Sequence, residues 1–409
     1  MTTASAATTT TTATTTRPRF IQIHTLTSYA GVLLNRDDSG MAKRLPFGGT
    51  TRIRVSSQCL KRHWRFAGQE NHEAAAKVAD SLQSLGIPMG ERTKELVTGI
   101  VMPAAQKVAP EASADQVKLV SDALHVELYG KNGADAKKRQ ALFFGQPEID
   151  YLTQLATEAL AQGTSAEELK TSLKSARANM NALKDAAGLE SALFGRMVTS
   201  DVASNRDAPI HVAHALTVHA MERDLDFATA VDDLRQRDPN ADSGSAGMFD
   251  IELTSGVFYG YVNIDVELLV SNLGGDAAVA GDVVGRLLNL IAKVSPGAKK
   301  GSTAPFAAAE FMLVEASDEQ PRTLANAFRR AVPLKGDVFQ HAIDSLGAHL
   351  AGLDAAYEPK TSRAQMVANL TGVSNVPAKS VRGLAEFAST AVAATSANAV
   401  NSAPATVEA

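Results

Sequence analysis

The chain has 409 residues, 45% of them hydrophobic, with 44 acidic and 40 basic side chains and a net charge of −4. That length supports one large domain or two smaller ones, and the near-balanced charge excludes a basic nucleic-acid coat over the whole chain, so any anion site must be local. A single cysteine, Cys59, excludes a disulfide framework and fits a reducing cytoplasm, and no apolar run approaches the ~18–20 residues of a membrane span.

The N-terminal stretch "MTTASAATTTTTATTTRPRF" lacks the apolar core and cleavage pattern of a signal peptide and reads as a disordered tail over 1–19. "RFIQIHTLTS" reads as the first strand, and "YAGVLLNRDDSGMAKRLPFGG" as a loop. "TTRIRVSS" is a short strand with Ile53 and Val55 on one face and Arg52 and Arg54 on the other. Ser56 or Ser57 then caps a helix over roughly Gln58 to Gly68.

From about 70 to 189 the text is almost all helical, with apolar positions at period 3.6 in segment after segment. Strands are expected again in "SALFGRMVTSDVA" and "PIHVAHALTVHA". Glu222 to Thr254 holds nine acids and three bases, carries a turn-rich tip, and runs into the alternating "MFDIELTSGVFYGYVNIDV". That pattern predicts a hairpin arm projecting from a sheet. "AGDVVGRLLNLIAKV" is a helix, "SPGAKKGSTAPFAAA" a loop and "EFMLVEAS" a strand, with helices near Thr323–Val332 and Gly336–Leu353. The C-terminal segment, 354–409, reads as partly disordered. The layout is α+β: a sheet domain carrying one helical insertion and one acidic arm.

Charge concentrates between Arg36 and Arg65, where eight bases (Arg36, Lys43, Arg44, Arg52, Arg54, Lys61, Arg62, Arg65) face two acids, Asp37 and Asp38. On the helix, Lys61 and Arg65 share one face while Leu60 and Trp64 share another, so the apolar pair can dock and the basic pair face out. Ser56, Ser57 and Gln58 sit where free backbone N–H groups point outward, a setting that suits phosphate. Cations spread over a loop and a helix suit a phosphodiester chain. A solvated helix face behind an ordinary serine cap fits the same residues.

Eight segments, "LNRDD", "FGG", "RIRVSSQCLKR", "GRMVTS", "VAHAL", "FATAVDDL", "SGVFYGYVNI" and "PGAKK", resemble in order and spacing the motifs of the CasC family. That family supplies the backbone subunit of the type I-E CRISPR surveillance complex, Cascade. The resemblance runs from about Phe20 to Leu353, is weak in the helical insertion and fails in both tails. It implies a ferredoxin-like (RRM-like) palm over 20–69, 190–221 and 256–353. The helical fingers would be 70–189 and the thumb hairpin 222–255. It also implies a non-catalytic scaffold, about six copies of which stack in a helical filament along one CRISPR guide RNA (crRNA). The guide's exposed bases would pair with target DNA. Further partners would be the large and small subunits, the guide-processing endoribonuclease and the subunit that holds the 5′ handle.

Carried over by motif, the RNA-contacting residues would be Arg36, Lys43, Ser56, Gln58, Lys61, Arg62 and Arg65. Met197 would pack on a guide base, a contact that a soft, unbranched side chain can make with any base. Lys299 and Lys300 would add contacts. Lys170, Lys174 and Arg177, with Lys184, fall within about 80° of a helix wheel and would receive target DNA; a solvated face explains them equally. No membrane, metal or cofactor is expected. "GAKKGST" has the wrong spacing for a P-loop, and His211, His214 and His219 lack a completing cysteine or carboxylate for zinc. Asp37 and Asp38 lie in a loop comparable to one that cleaves target RNA in related type III subunits, so a metal-dependent endonuclease is the alternative reading.

Overall fold

A computed structural model describes residues 17–69, 80–130, 133, 135–182, 188–196, 205–230 and 247–394. The Thr-rich N-terminal stretch, Lys184, Met197 and the tip of the acidic arm lie outside the described residues, as does the side chain of Arg177.

Eleven strands are formed among the described residues: β1 (Phe20–Val32), β2 (Arg44–Phe47), β3 (Thr50–Val55), β4 (Glu91–Thr93), β5 (Leu142–Phe144), β6 (Ile210–Val212), β7 (Ala215–Thr217), β8 (Arg223–Ala230), β9 (Gly247–Asp265), β10 (Phe311–Ser317) and β11 (Thr361–Val367). Nine make one antiparallel sheet in the order β11-β10-β1-β9-β7-β3-β2, with β6 and β8 also bonded to β9. β4 and β5 form a separate ribbon. The first half of β9 pairs with β8 from Arg223↔Thr254 outward, which makes the arm; its second half pairs with β1 inside the sheet.

The register gives each sheet face its own core. Ile21 and Ile23 stand beside Val262, Ile264, Met312 and Val314, and bury against α1 (Ser57–Phe66) and other helices. Leu26, Tyr259, Phe311 and Leu313 point the other way. A third apolar cluster, separate from both, holds together the helical insertion: α2 (Met102–Val108), α3 (Ala114–Tyr129), α4 (Gln146–Gln162) and α5 (Ala166–Ala182), with β5. Past the insertion come α6 (Leu189–Phe194), α7 (Val266–Asn272), α8 (Ala277–Lys293), α9 (Lys300–Thr303), α10 (Val338–Tyr357) and α11 (Val381–Ala393). No helix among the described residues is long and apolar enough to cross a membrane.

Five expectations change. "SALF" belongs to helix α6, not a strand, because Leu189, Ala192 and Leu193 recur at helical spacing and bury together between two positive-φ glycines, Gly188 and Gly195. Residues 323–332 form only a 3-10 turn at Ala325–Phe328, since their backbone groups bond elsewhere: the Phe328 carbonyl accepts from Arg52 and the Val332 N–H donates to Val218. The C-terminal segment is ordered through residue 394. β11 closes the sheet edge, and α11 sets Leu384, Ala388 and Val392 on the core beside α8. Gly281 of α8 permits that approach, because a Cβ there would stand 2.8 Å from the Ser389 carbonyl oxygen. Within the expected loop, "RLPFGGT" makes the β2–β3 hairpin, whose two turn glycines have φ of +61° and +80°, as a two-residue type I′ turn requires.

The fifth change is Arg52, placed by the strand pattern opposite Ile53 and Val55 and counted among the local cations. β3 lies between β2 and β7, and Arg52 is 0% exposed. Its Nε donates to Thr50 Oγ1, and its terminal nitrogens donate to the carbonyls of Thr217 and Phe328, each at 2.9 Å. It is a buried cross-brace, not a surface cation. Arg52→Met leaves those carbonyls without a donor, and we expect a loss of about 2–4 kcal/mol of stability by urea denaturation; an unchanged midpoint would contradict the brace.

Candidate nucleic-acid interface

Helix α1 is fixed at its start and along one side. Ser56 is extended, and its Oγ accepts from the Cys59 N–H at 3.3 Å, so Ser56 is the N-cap. The Ser56 N–H donates to Asn35 Oδ1 at 3.0 Å, which ties the helix start to the "NRDD" loop. Trp64, 3% exposed, buries in the main core, and Leu60 packs at its margin. The predicted apolar side of the helix is therefore the docked side.

The basic side is not uniform. Gln58 and Arg62 are exposed. Lys61 is half-buried with Nζ 5.6 Å from the centre of the Phe194 ring, and burial pulls its pKa down. Arg65, expected to face solvent beside Lys61, is 7% exposed because β4–β5 and α6 cover the last turn of α1. Its guanidinium lies 4.5 Å from the Phe143 ring centre and 3.8 Å from the Glu190 carboxylate. Burial raises the Glu190 pKa, against the opposing pull of the Gly90 N–H and Arg65.

The "NRDD" loop is a built turn. Asp37 Oδ1 accepts from the N–H groups of Ser39 and Met41, each at 3.0 Å, so this carboxylate closes the loop. Arg36 and Asp38 are exposed, and Arg36 bridges to Ala42. Lys43 is held through its backbone by Asn35 and Arg54. Arg54 donates to His214 Nδ1 at 2.9 Å, and burial followed by the charges of Arg54 and Lys43 holds the His214 pKa down. His219 instead ties backbone segments together, since its Nδ1–H donates to the Ala220 carbonyl and its Nε2 accepts from the Val257 N–H.

Three segments distant in sequence meet here. The Ala298 N–H donates to the Leu33 carbonyl at 2.9 Å, which sets the loop of Lys299 and Lys300 beside the "NRDD" loop. A small apolar core of Val32, Leu33, Leu34, Ala42, Ile53, Val55, Ala215 and Phe258 lies beneath, with Cys59, Leu60 and Ala298 packed on its rim. Arg36 and Lys43, the start of α1, and Lys299 and Lys300 thus belong to one surface region. Beside the arm, the buried Glu252 carboxylate accepts from the Ala42 N–H and from Arg44, and lies 3.5 Å from Arg223. Next to α1, a cleft of about 860 Å³ is lined by Gln58, Lys61, Arg62 and Arg65 on one side and by the β4–β5 ribbon on the other.

Lys170 and Lys174 are exposed on α5, whose core is separate, and do not join this surface. The contribution of β4–β5 has no counterpart in the sequence reading. Its strands, "ERT" and "LFF", are three residues each and about 50 apart in sequence, too short for a periodic signal.

The comparisons with known proteins bear on this arrangement. The family model described as "CT1975-like protein" matches residues 21–390. The chain belongs to the CT1975-like protein family. This CasC-like family is the one its ordered motifs resemble. A chain of a solved "CRISPR RNA-guided surveillance complex, pre-nicking" aligns with the CT1975-like chain at a TM-score of 0.73 and 24% identity, over 91% of this chain and 100% of that one. A chain of another "CRISPR RNA-guided surveillance complex" gives 0.65 and 20%, over 91% and 99%. At these identities the likeness establishes the fold. No curated protein matches the chain.

Cys59 reports on how α1 is seated. Burial pushes its thiol pKa up to about 11, and the nearby charges of Lys43 and Arg62 only partly offset that. A raised pKa leaves little thiolate at neutral pH. We therefore expect alkylation at pH 7.5 to run ~100-fold or more slower than for a free cysteine and to keep accelerating through pH 10. A rate that levels off near pH 8.5 would contradict this seating.

Proposed function

We propose that this protein is a non-catalytic, guide-RNA-binding scaffold of a type I-E CRISPR surveillance complex in the cytoplasm. The observation that carries the reading is the convergence, over one small apolar core, of cations from the "NRDD" loop, the start of α1 and the Pro-Gly loop, in a chain of the CT1975-like family. Such a surface holds a chain of phosphates without reading bases. In this reading the sheet domain is a ferredoxin-like palm, the helical insertion is the fingers and the β8–β9 arm is the thumb. Copies of the protein stack along the crRNA and present its bases to target DNA, together with the other Cascade subunits. Arg36, Lys43, Gln58, Lys61, Arg62, Lys299 and Lys300 grip the phosphates, Ser56 orients the helix start, and Met197 packs against a base.

The engagement of Asp37 in its loop favours a structural role for that carboxylate over metal-dependent RNA cleavage and leaves the exposed Asp38 as the carboxylate that an endonuclease would use. Mg²⁺-dependent cleavage of complementary RNA, lost in Asp37→Ala or Asp38→Ala, would reverse that preference.

Expressed with a guide RNA, the protein is expected to purify as a multimer of high nucleic-acid content. Lys43→Ala combined with Lys61→Ala, both outside the buried core, should fold normally and bind single-stranded RNA about tenfold or more weakly at physiological salt. Normal RNA recovery with the double variant would reject the phosphate-grip surface.

A further inference from the structure

The cleft beside α1 contains a pair of arginines that the motif resemblance does not assign together. In the β4–β5 ribbon Arg92 stands directly across from Phe143, so both side chains project from one face of the ribbon. Arg92 lies 5.4 Å from the Phe143 ring centre, and Arg65 reaches the same ring from α1 at 4.5 Å. Two guanidinium groups from different parts of the fold thus share one aromatic wall, and Arg62 and Lys61 line the same cleft.

Gathering like charges is unfavourable unless something negative meets them. Glu190 and Glu91 supply part of that. Burial, the largest effect, and the charges of Arg92 and Arg62 still outweigh them and pull the Arg65 pKa below its ordinary value. Arg65 is more than nine-tenths buried, and among the described residues its Nε, itself covered by protein, has no hydrogen-bond partner. Two guanidinium groups on one ring, both lining an open cleft, form a setting that suits a phosphate-type anion. The cleft, about 860 Å³, is wide enough for a nucleotide-sized group, and it continues the surface of Gln58 and Lys61.

We propose that Arg65 and Arg92, positioned on the ring of Phe143, clamp a phosphodiester of single-stranded RNA in the cleft between α1 and the β4–β5 ribbon. The clamp rests on the guide-RNA reading and extends it from the palm surface to the base of the helical insertion. Arg65 and Arg92 bind; Phe143 is a positioning residue, because both guanidinium groups rest on its ring.

The test uses the full-length protein, with fluorescence anisotropy on a fluorescent single-stranded RNA and a matched single-stranded DNA over a range of salt. Arg92 is exposed, so Arg92→Ala should leave the thermal midpoint unchanged. It should weaken RNA binding about fivefold and reduce the salt slope by about 0.7, the value for one phosphate contact on a single strand. Arg92→Lys should restore part of the affinity, and Phe143→Leu should weaken binding with wild-type salt dependence and an unchanged thermal midpoint. Equal losses on RNA and DNA support a phosphate clamp. A loss confined to DNA overturns the assignment to RNA. Competition by polyglutamate that depends on Arg92, with RNA binding unaffected by Arg92→Ala, overturns it in favour of an acidic protein segment. Unchanged RNA affinity in Arg92→Ala, with the Lys43/Lys61 double variant weakened, removes the clamp alone. Absence of RNA binding by the wild type removes the guide-RNA reading itself.

Discussion

Cations repel one another, so a surface that concentrates them needs an independent reason to hold its shape. Here that reason is the small apolar core around Leu33, Leu34, Val55 and Phe258, with the Ala298–Leu33 backbone hydrogen bond across its rim. The sheet supplies Val55, Ala215 and Phe258 from neighbouring strands. The "NRDD" loop supplies Leu33, Leu34 and Ala42, and α1 supplies Cys59 and Leu60. Apolar burial offsets the electrostatic cost locally, and Asp37 and Asn35 freeze the loop through backbone N–H groups. The result is a preorganised cationic surface on a chain whose total charge is slightly negative.

The same logic explains part of the acidic arm. Its nine acids are not equivalent. Glu252 turns inward, where its carboxylate fastens Arg44 and Arg223 and accepts the Ala42 N–H, so the base of the arm is locked to the loop it overhangs. Asp224, Asp226 and Asp250 are exposed. Arg52 is the complementary case: a base counted with the cations that is a backbone brace inside the sheet. Counting charges along a sequence overstates the free cations, because the count cannot see which guanidinium groups are used as struts.

Legibility follows the range of the interactions. The α1 cap and its docked face are readable, since capping and amphipathicity operate within four residues. So are β1, β3, β10 and α8, each a strongly apolar or periodic run. The burial of Arg65 is not, because the cover comes from the β4–β5 ribbon and from α6 after the insertion. The Thr323–Val332 segment misleads for a related reason: its backbone groups bond to Arg52 and Val218, more than 100 residues away. α11 is hidden because alanine-rich text resembles a linker until a glycine-bearing helix such as α8 is there to receive it. The loop and helix cations between Arg36 and Arg65 are visible as a local charge concentration, whereas their meeting with the Lys299–Lys300 loop is signalled only by the ordered motifs.

The central claim is that this convergent surface holds a chain of phosphates. It is tested most directly by the salt dependence of binding between the full-length protein and a single-stranded RNA of mixed sequence. Four or more phosphate contacts predict a log–log slope of about −3 or steeper, with little change when the RNA sequence is altered. A slope near zero, or an affinity set by sequence rather than salt, would contradict the account.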